Sequence, residues 1–354
     1  MPAPAEMLSF VRRLDAVQGV TGELRGPNLL VPLGSCVLAI ASESTAGPGA
    51  DWLGQDGCTR LAQSAGGPPM QRPGFGVQSA VTMDNGSIIG VQLPNAAQGY
   101  LVRRDPDGTV HRLATLPDMS STIAGIARVG NRLLVTTTAW VDVNWGAVVW
   151  ESTDGGATVR KIPLPRAHGV GARSGFLEDG IPGLIAVHGS EVVIASTAPT
   201  NSGAQAAFVT WRSSDGGVTW SASSMVLEST AHTLLWAGDR WLILLYDAPR
   251  ILSSTDGRHW TPGNTATMGP GKITGGTIDH DGQLVLLGGM DSGQRISVSK
   301  IAGIVYCPVL WTGPVNGPLT RGDVGCRAEL LTAVATLADG RVMIVGGKDL
   351  WIRS

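Results

Sequence analysis

The sequence is sparing in charge and cysteine, and it lacks any long apolar run. Only 15% of its 354 residues are charged, and 26 basic against 28 acidic side chains leave a formal net charge of −2. That balance removes the main electrostatic argument for a nucleic-acid partner or an anionic membrane surface. No stretch of 18 apolar residues occurs, so no membrane span is predicted. The start, Met1-Pro2-Ala3-Pro4-Ala5-Glu6, lacks the charged and apolar segments of a secretory signal. There is no C-x-x-C, and the six His are scattered with none at i, i+4, so no metal site is proposed. No P-loop, dinucleotide fingerprint or G-x-S-x-G elbow stands in its required context, and no cofactor is expected. The four cysteines fall in two locally spaced pairs, Cys36 with Cys58 and Cys307 with Cys326. Four cysteines allow three connectivities; disulfides between the local partners are the expected outcome, in a secreted or extracytoplasmic mature chain without its signal.

What the chain has is turn formers and a core: 49 Gly, 21 Pro and 43% hydrophobic residues. Short β-rich runs recur, among them Leu133-Leu134-Val135, Val192-Val193-Ile194, Leu242-Ile243-Leu244-Leu245, Leu284-Val285-Leu286-Leu287 and Val342-Met343-Ile344-Val345. Each follows a hairpin-type turn, and these turns fall near Gly34, Asn85, Gly130, Gly189, Gly238, Asp281 and Asp339, 43 to 59 residues apart. A second set of turns follows at Asp56-Gly57, Asp107-Gly108, Asp154-Gly155, Asp215-Gly216 and Asp256-Gly257, with Gly303 continuing it in the sixth unit. Two hairpin turns per period means four strands, the makeup of a propeller blade. The reading is all-β: one propeller domain over residues 1–354, with seven four-stranded blades and six as the alternative. Its last blade is completed by residues 8–14 beside residues 349–353.

Three of the later turns carry a fuller pattern. Ser213-Ser214-Asp215-Gly216-Gly217-Val218-Thr219-Trp220 resembles the Asp-box, or bacterial neuraminidase repeat, S-x-D-x-G-x-T-W at every position. Ser152-Thr153-Asp154-Gly155-Gly156-Ala157-Thr158 is similar up to Val159, and Ser254-Thr255-Asp256-Gly257-Arg258-His259-Trp260 is one residue shorter. In such turns the Ser and Asp oxygens bond backbone N–H groups, Gly supplies positive φ and Trp covers the hairpin, a structural role. Leu24-Arg25-Gly26-Pro27-Asn28-Leu29-Leu30 and Gly34-Ser35-Cys36-Val37-Leu38-Ala39-Ile40-Ala41 resemble the opening segments of the sialidase superfamily. Leu331-Thr332-Ala333-Val334-Ala335-Thr336-Leu337-Ala338-Asp339-Gly340-Arg341 resembles its closing one. Sialidases have six blades, so residues 75–116 are read as an additional blade.

The resemblance implies a pocket with an Arg clamp, an Asp acid/base and a Glu-activated Tyr. Arg25 matches the first clamp Arg, Asp51 (read in a loop) matches the acid/base, and Glu228 matches the activating Glu. Departures follow: Leu245-Tyr246-Asp247 stands where the second Arg belongs, Leu331 falls at the nucleophile, and neither Arg295 nor Tyr306 fills a missing place. The resemblance thus implies a propeller that recognises or processes a carbohydrate without ordinary sialidase activity. If it is an enzyme, a glycoside hydrolase is implied; a non-catalytic protein-interaction scaffold is the alternative. Trp140, Asp142, Asn144 and Trp145 are candidates for the ligand face, together with Arg173 and Glu178 from the long loop 166–182, Lys272, Asp291, Arg327 and Glu329. Trp rings stack on sugar C–H faces and carboxylates accept hydroxyls, although hairpin packing of the Trp pair is the competing reading. A monomer is expected.

Overall fold

A computed structural model describes residues 9–18, 20, 26–41, 50–64, 76–95, 97–119, 123–142, 144–167, 181–196, 207–226, 229–246, 250–298, 301–326 and 331–354. The fold is an all-β, seven-bladed β-propeller of four-stranded antiparallel sheets, with no helix among the described residues. Packing divides the chain into two units, Met1–Gly74 with Leu244–Ile251 and Pro262–Ser354, and Phe75–Ile243 with Leu252–Thr261.

The first unit opens with β1 (Val11–Arg13). Blade one follows as β2 (Leu29–Leu33), β3 (Cys36–Ala41), β4 (Ala50–Gln55) and β5 (Arg60–Gln63). In the second unit blade two is β6 (Ser79–Thr82), β7 (Ile88–Gln92), β8 (Gly99–Arg104) and β9 (Val110–Leu116). Blade three is β10 (Gly125–Val129), β11 (Arg132–Val141), β12 (Asn144–Ser152) and β13 (Arg160–Pro163). Blade four is β14 (Leu184–His188), β15 (Glu191–Ala195), β16 (Ala207–Ser213) and β17 (Ser221–Val226). Blade five, whose residues are shared between the units, is β18 (Ala231–Trp236), β19 (Trp241–Leu245), β20 (Arg250–Ser254) and β21 (Thr261–Pro262). The first unit resumes with blade six, β22 (Lys272–Ile278), β23 (Gln283–Val298), β24 (Ile301–Pro314) and β25 (Thr320–Asp323). Blade seven is β26 (Ala333–Thr336), β27 (Val342–Gly346) and β28 (Asp349–Arg353), and β1 supplies its fourth strand.

That closure is the one the sequence predicts. Val11 pairs with Ile352 and Arg13 with Leu350. Such a short strand needs side-chain anchors: Arg12 donates to Asp349 Oδ2 from Nε and Nη2 (3.1 and 2.6 Å), and the Asp15 N–H donates to Oδ1 (3.1 Å).

The recurring apolar runs are the second strands, and alternation explains them. Successive side chains of a strand leave on opposite faces. A strand covered on both faces is therefore apolar throughout. Met343 and Val345 of β27 join Val37, Ala39 and Trp52 on one side, while Val342 and Ile344 join Val285, Leu287 and Leu310 on the other. In the second unit Leu133 and Val135 pack with Ile89 and Val91, whereas Leu134 packs with Val192, Ile194 and Trp211. Each such side chain contributes about 1.5–3 kcal/mol on burial. In three blades a third-strand Trp also hydrogen-bonds the segment leading into that blade: Trp52 to Gln18 O, Trp211 to Pro165 O and Trp311 to Met268 O, at 2.7, 2.9 and 2.7 Å.

Both disulfides form as expected, Cys36–Cys58 and Cys307–Cys326, and no cysteine is free. The first passes so close to β4 that a Cβ on Gly54 would lie 1.7 Å from Cys36 Sγ, so this position admits only Gly. One turn is corrected. Gly303 is not the second turn of blade six; it lies within β24 opposite Ile296. The turn sits at residues 315–319, where the Gly317 N–H donates to Pro314 O (3.0 Å).

Candidate functional site

Arg25, Glu228, Arg173, Glu178, Arg327 and Glu329 lie outside the described residues. Asp51 does not sit in a loop: it belongs to β4, paired with Ile40, and its carbonyl accepts the Ser64 N–H (2.9 Å). Leu331, at the place of a nucleophile, is 1% exposed and packs with Val285, Leu287 and Val342. A hydrocarbon side chain in a closed core offers no nucleophile. Lys272 places its ammonium 4.7 Å from the ring centre of Tyr246, and Asp291 caps its own turn by accepting the Gly293 N–H (2.8 Å).

The Ser/Asp turns make the hydrogen bonds their residues predict. In blade three Ser152 Oγ donates to Asp154 Oδ1 and accepts the Gly156 N–H, both at 2.8 Å. The Thr158 N–H and hydroxyl donate to the two Asp154 oxygens (2.9 and 2.6 Å). Blade four repeats this through Ser213, Asp215 and Thr219, and Trp220 Nε1 donates to Gly217 O (3.0 Å). In blade five His259 takes the threonine's part, one residue earlier, with Nδ1 2.6 Å from Asp256 Oδ2 beside the Ser254 bond. Trp260 reaches instead to Thr210 Oγ1 of blade four (3.3 Å).

These bonds favour the ionised carboxylates. The Thr158 hydroxyl and N–H bring Asp154 down to about 2, and the same donors of Thr219 hold Asp215 below the carboxylate range. Burial pushes Asp256 up, but donation from His259 and Arg258 outweighs it. Among the described residues, every carboxylate with a displaced pKa moves downward. No cluster of three or more His, Cys, Asp or Glu able to hold a metal occurs among the described residues. Arg321-Gly322-Asp323 is tied up in β25, with Arg321 bonded to Asp323 Oδ1 (3.1 and 3.0 Å) and to Pro270 O (2.5 Å).

One predicted group does come together. β10 pairs with β11 only as far as Thr136, and β13 pairs with β12 only as far as Val148. Beyond those points β11 and β12 continue as a two-stranded ribbon, closing at the Val141–Asn144 pair. Trp140 and Trp145 face each other across it, ring centres 4.9 Å apart at 85°, an edge-to-face arrangement. Trp140 is 43% exposed, among the most exposed large apolar side chains described. Asp142 occupies the turn at φ 52°, a left-handed conformation that Asp tolerates.

The ribbon is braced by residues its own sequence does not announce. The Trp140 N–H donates to Asp118 O, and Lys161 Nζ donates to Trp140 O, both at 2.9 Å. Met119 bridges to Ala139. The Lys161 ammonium also lies 5.6 Å from the Trp150 ring centre. The tip thus carries an exposed aromatic pair, with Asp142 in its turn and the Lys161 ammonium bonded to its backbone.

No protein-family model and no curated protein matches the sequence. The fold is similar to that of YCF48 bound to a D1 peptide, at 11% identity and TM-score 0.62, covering 98% of this chain and 95% of that one. Sqt1 from Chaetomium thermophilum matches at 12% identity and TM-score 0.52, covering 97% and 100%. The α-L-arabinofuranosidase Arb93A from Fusarium graminearum, in complex with an iminosugar inhibitor, matches at 12% and TM-score 0.50, covering 79% and 92%. At these identities the likeness establishes a shared propeller fold.

Proposed function

We propose that this chain is a non-catalytic recognition propeller, acting outside the cytoplasm as a single domain, that takes a carbohydrate on the ribbon tip of blade three. The carrying observation is the exposed Trp140 held edge-to-face against Trp145 beside Asp142. An aromatic face gives a sugar ring its apolar contact, and the carboxylate and Lys161 supply an acceptor and a donor for hydroxyls. The buried Leu331, at the place of a nucleophile, weighs against hydrolysis. Two disulfides, with no helix among the described residues long and apolar enough to cross a membrane, support the extracytoplasmic setting.

A peptide is the second reading, favoured by the similarity to YCF48 bound to a D1 peptide. A glycan array run beside an aryl-glycoside panel separates the outcomes. Binding to at least one glycan with no aryl-glycoside turnover is expected. Turnover would overturn the non-catalytic reading, and a blank array would leave the peptide reading in its place.

A further inference from the structure

The opposite end of blade three differs from blade four in one respect that points to a second ligand site. In blade four the two turns at this end are laced together. The Gly216 N–H donates to Ser190 O (2.8 Å), and Ser190 Oγ donates to Ser214 O (3.2 Å). The matching residues in blade three are Gly155, Asn131 and Thr153, which make no such bonds. They line an open cavity of about 390 Å³ together with Asn85, Arg103 and Arg128, with the half-buried Met83 in its wall and Ile89 buried beneath. That volume falls in the range of small-molecule sites.

The charges in this recess are already matched. Arg128 grips Asp84 with Nη1 and Nη2 (2.6 and 2.5 Å) and bonds Gly130 O with Nε (2.8 Å). Arg103 Nε lies 2.8 Å from Asp105 Oδ1, an ion pair that matches its charge although this buried N–H is not aligned to hydrogen-bond. With both guanidiniums neutralised, neither an anion nor a cation finds an uncompensated partner. What is left over is uncharged. Asn85 spends its oxygen on the Ser87 N–H and hydroxyl (3.0 and 2.7 Å), which frees its amide hydrogens. The Gly155 N–H, the Asn131 amide and the Thr153 hydroxyl have no partner among the described residues. Donors and acceptors intermixed beside the Met83 side chain fit a ring bearing several hydroxyls.

We propose that this recess binds a neutral, hydroxyl-bearing ligand about the size of one sugar ring. The proposal stands apart from the ribbon-tip reading, since it rests on other residues at the other end of the blade. The test is an amide NMR titration of the full chain with methyl β-D-galactopyranoside, methyl β-D-glucopyranoside and methyl α-D-mannopyranoside, and separately with sodium sulfate. At least one glycoside should move the Gly155 and Asn131 amide signals saturably, and sulfate should not. Asn131→Ser installs the residue that laces blade four; it should weaken the titration about tenfold, as expected for losing one or two hydrogen bonds. Thr153→Val, which leaves the backbone untouched, should weaken it about threefold. Trp140→Ala should leave it unchanged. Silence with all three glycosides up to about 100 mM, beyond ordinary millimolar binding, would overturn the proposal. So would a response to sulfate alone, or wild-type titration in both recess variants.

Discussion

Blades three, four and five hold their outer turns with side chains, whereas blade six carries a disulfide at the other end of its last hairpin, away from the turn. In the first three a serine and an aspartate saturate the turn with hydrogen bonds. In blade six the third and fourth strands meet at a turn without that pattern, and Cys307–Cys326 ties β24 to the segment just after β25. The contrast teaches that a turn is readable from sequence when its own residues satisfy its backbone. Where no such residues mark the turn, as at residues 315–319, it goes unannounced, and the misplaced Gly303 is the result.

The sharpest way to break the contrast is to disturb backbone packing in blade six. A Cβ on Gly288 would stand 1.9 Å from Lys272 O, an atom that cannot swing aside. Gly288→Ala should therefore cost more than about 3 kcal/mol or prevent folding, measured by thermal melting and soluble yield. Next in size is the covalent link: replacing Cys307 and Cys326 by Ser should lower stability by about 2–4 kcal/mol in urea unfolding. An unchanged midpoint would show that the strands alone hold the blade. Asp215→Ala should cost less, about 1–2 kcal/mol, because its bonds are exposed and water replaces them in part.

The smallest effect is one of pH. A carboxylate lowered on folding stabilises the native state above its unfolded pKa and loses that contribution as pH falls through the folded value. Asp154, brought down to about 2, should therefore support folding fully above about pH 4 and progressively less between pH 4 and 2. Its carboxyl NMR signal should show that low midpoint in wild type and return toward the ordinary value in Thr158→Val.

Much of the fold was legible because the second strand of each blade is covered on both faces. Runs such as Val342-Met343-Ile344-Val345 have no polar alternation to confuse with a surface strand, and they recur with the blade period. The ribbon tip was partly legible. Trp140 and Trp145 flank a tight turn, so hairpin geometry pairs them across strands, a local relation. Lys161, from β13, and Asp118, from the segment after β9, hold that tip and carry no spacing signal. The recess beside Asn131 was invisible for another reason: it arises from contacts that blade four makes and blade three lacks, and a missing bond leaves no motif.

On the proposed reading Trp140 is a ligand contact and not a packing element. Calorimetric titration of the strongest glycan from the array into wild type and Trp140→Ala tests it directly. Binding should weaken by at least about tenfold, in line with about 1.5–3 kcal/mol for the burial of a large apolar side chain, with the melting temperature unchanged. Equal affinity in the two proteins, or a large drop in melting temperature without loss of affinity, would contradict it.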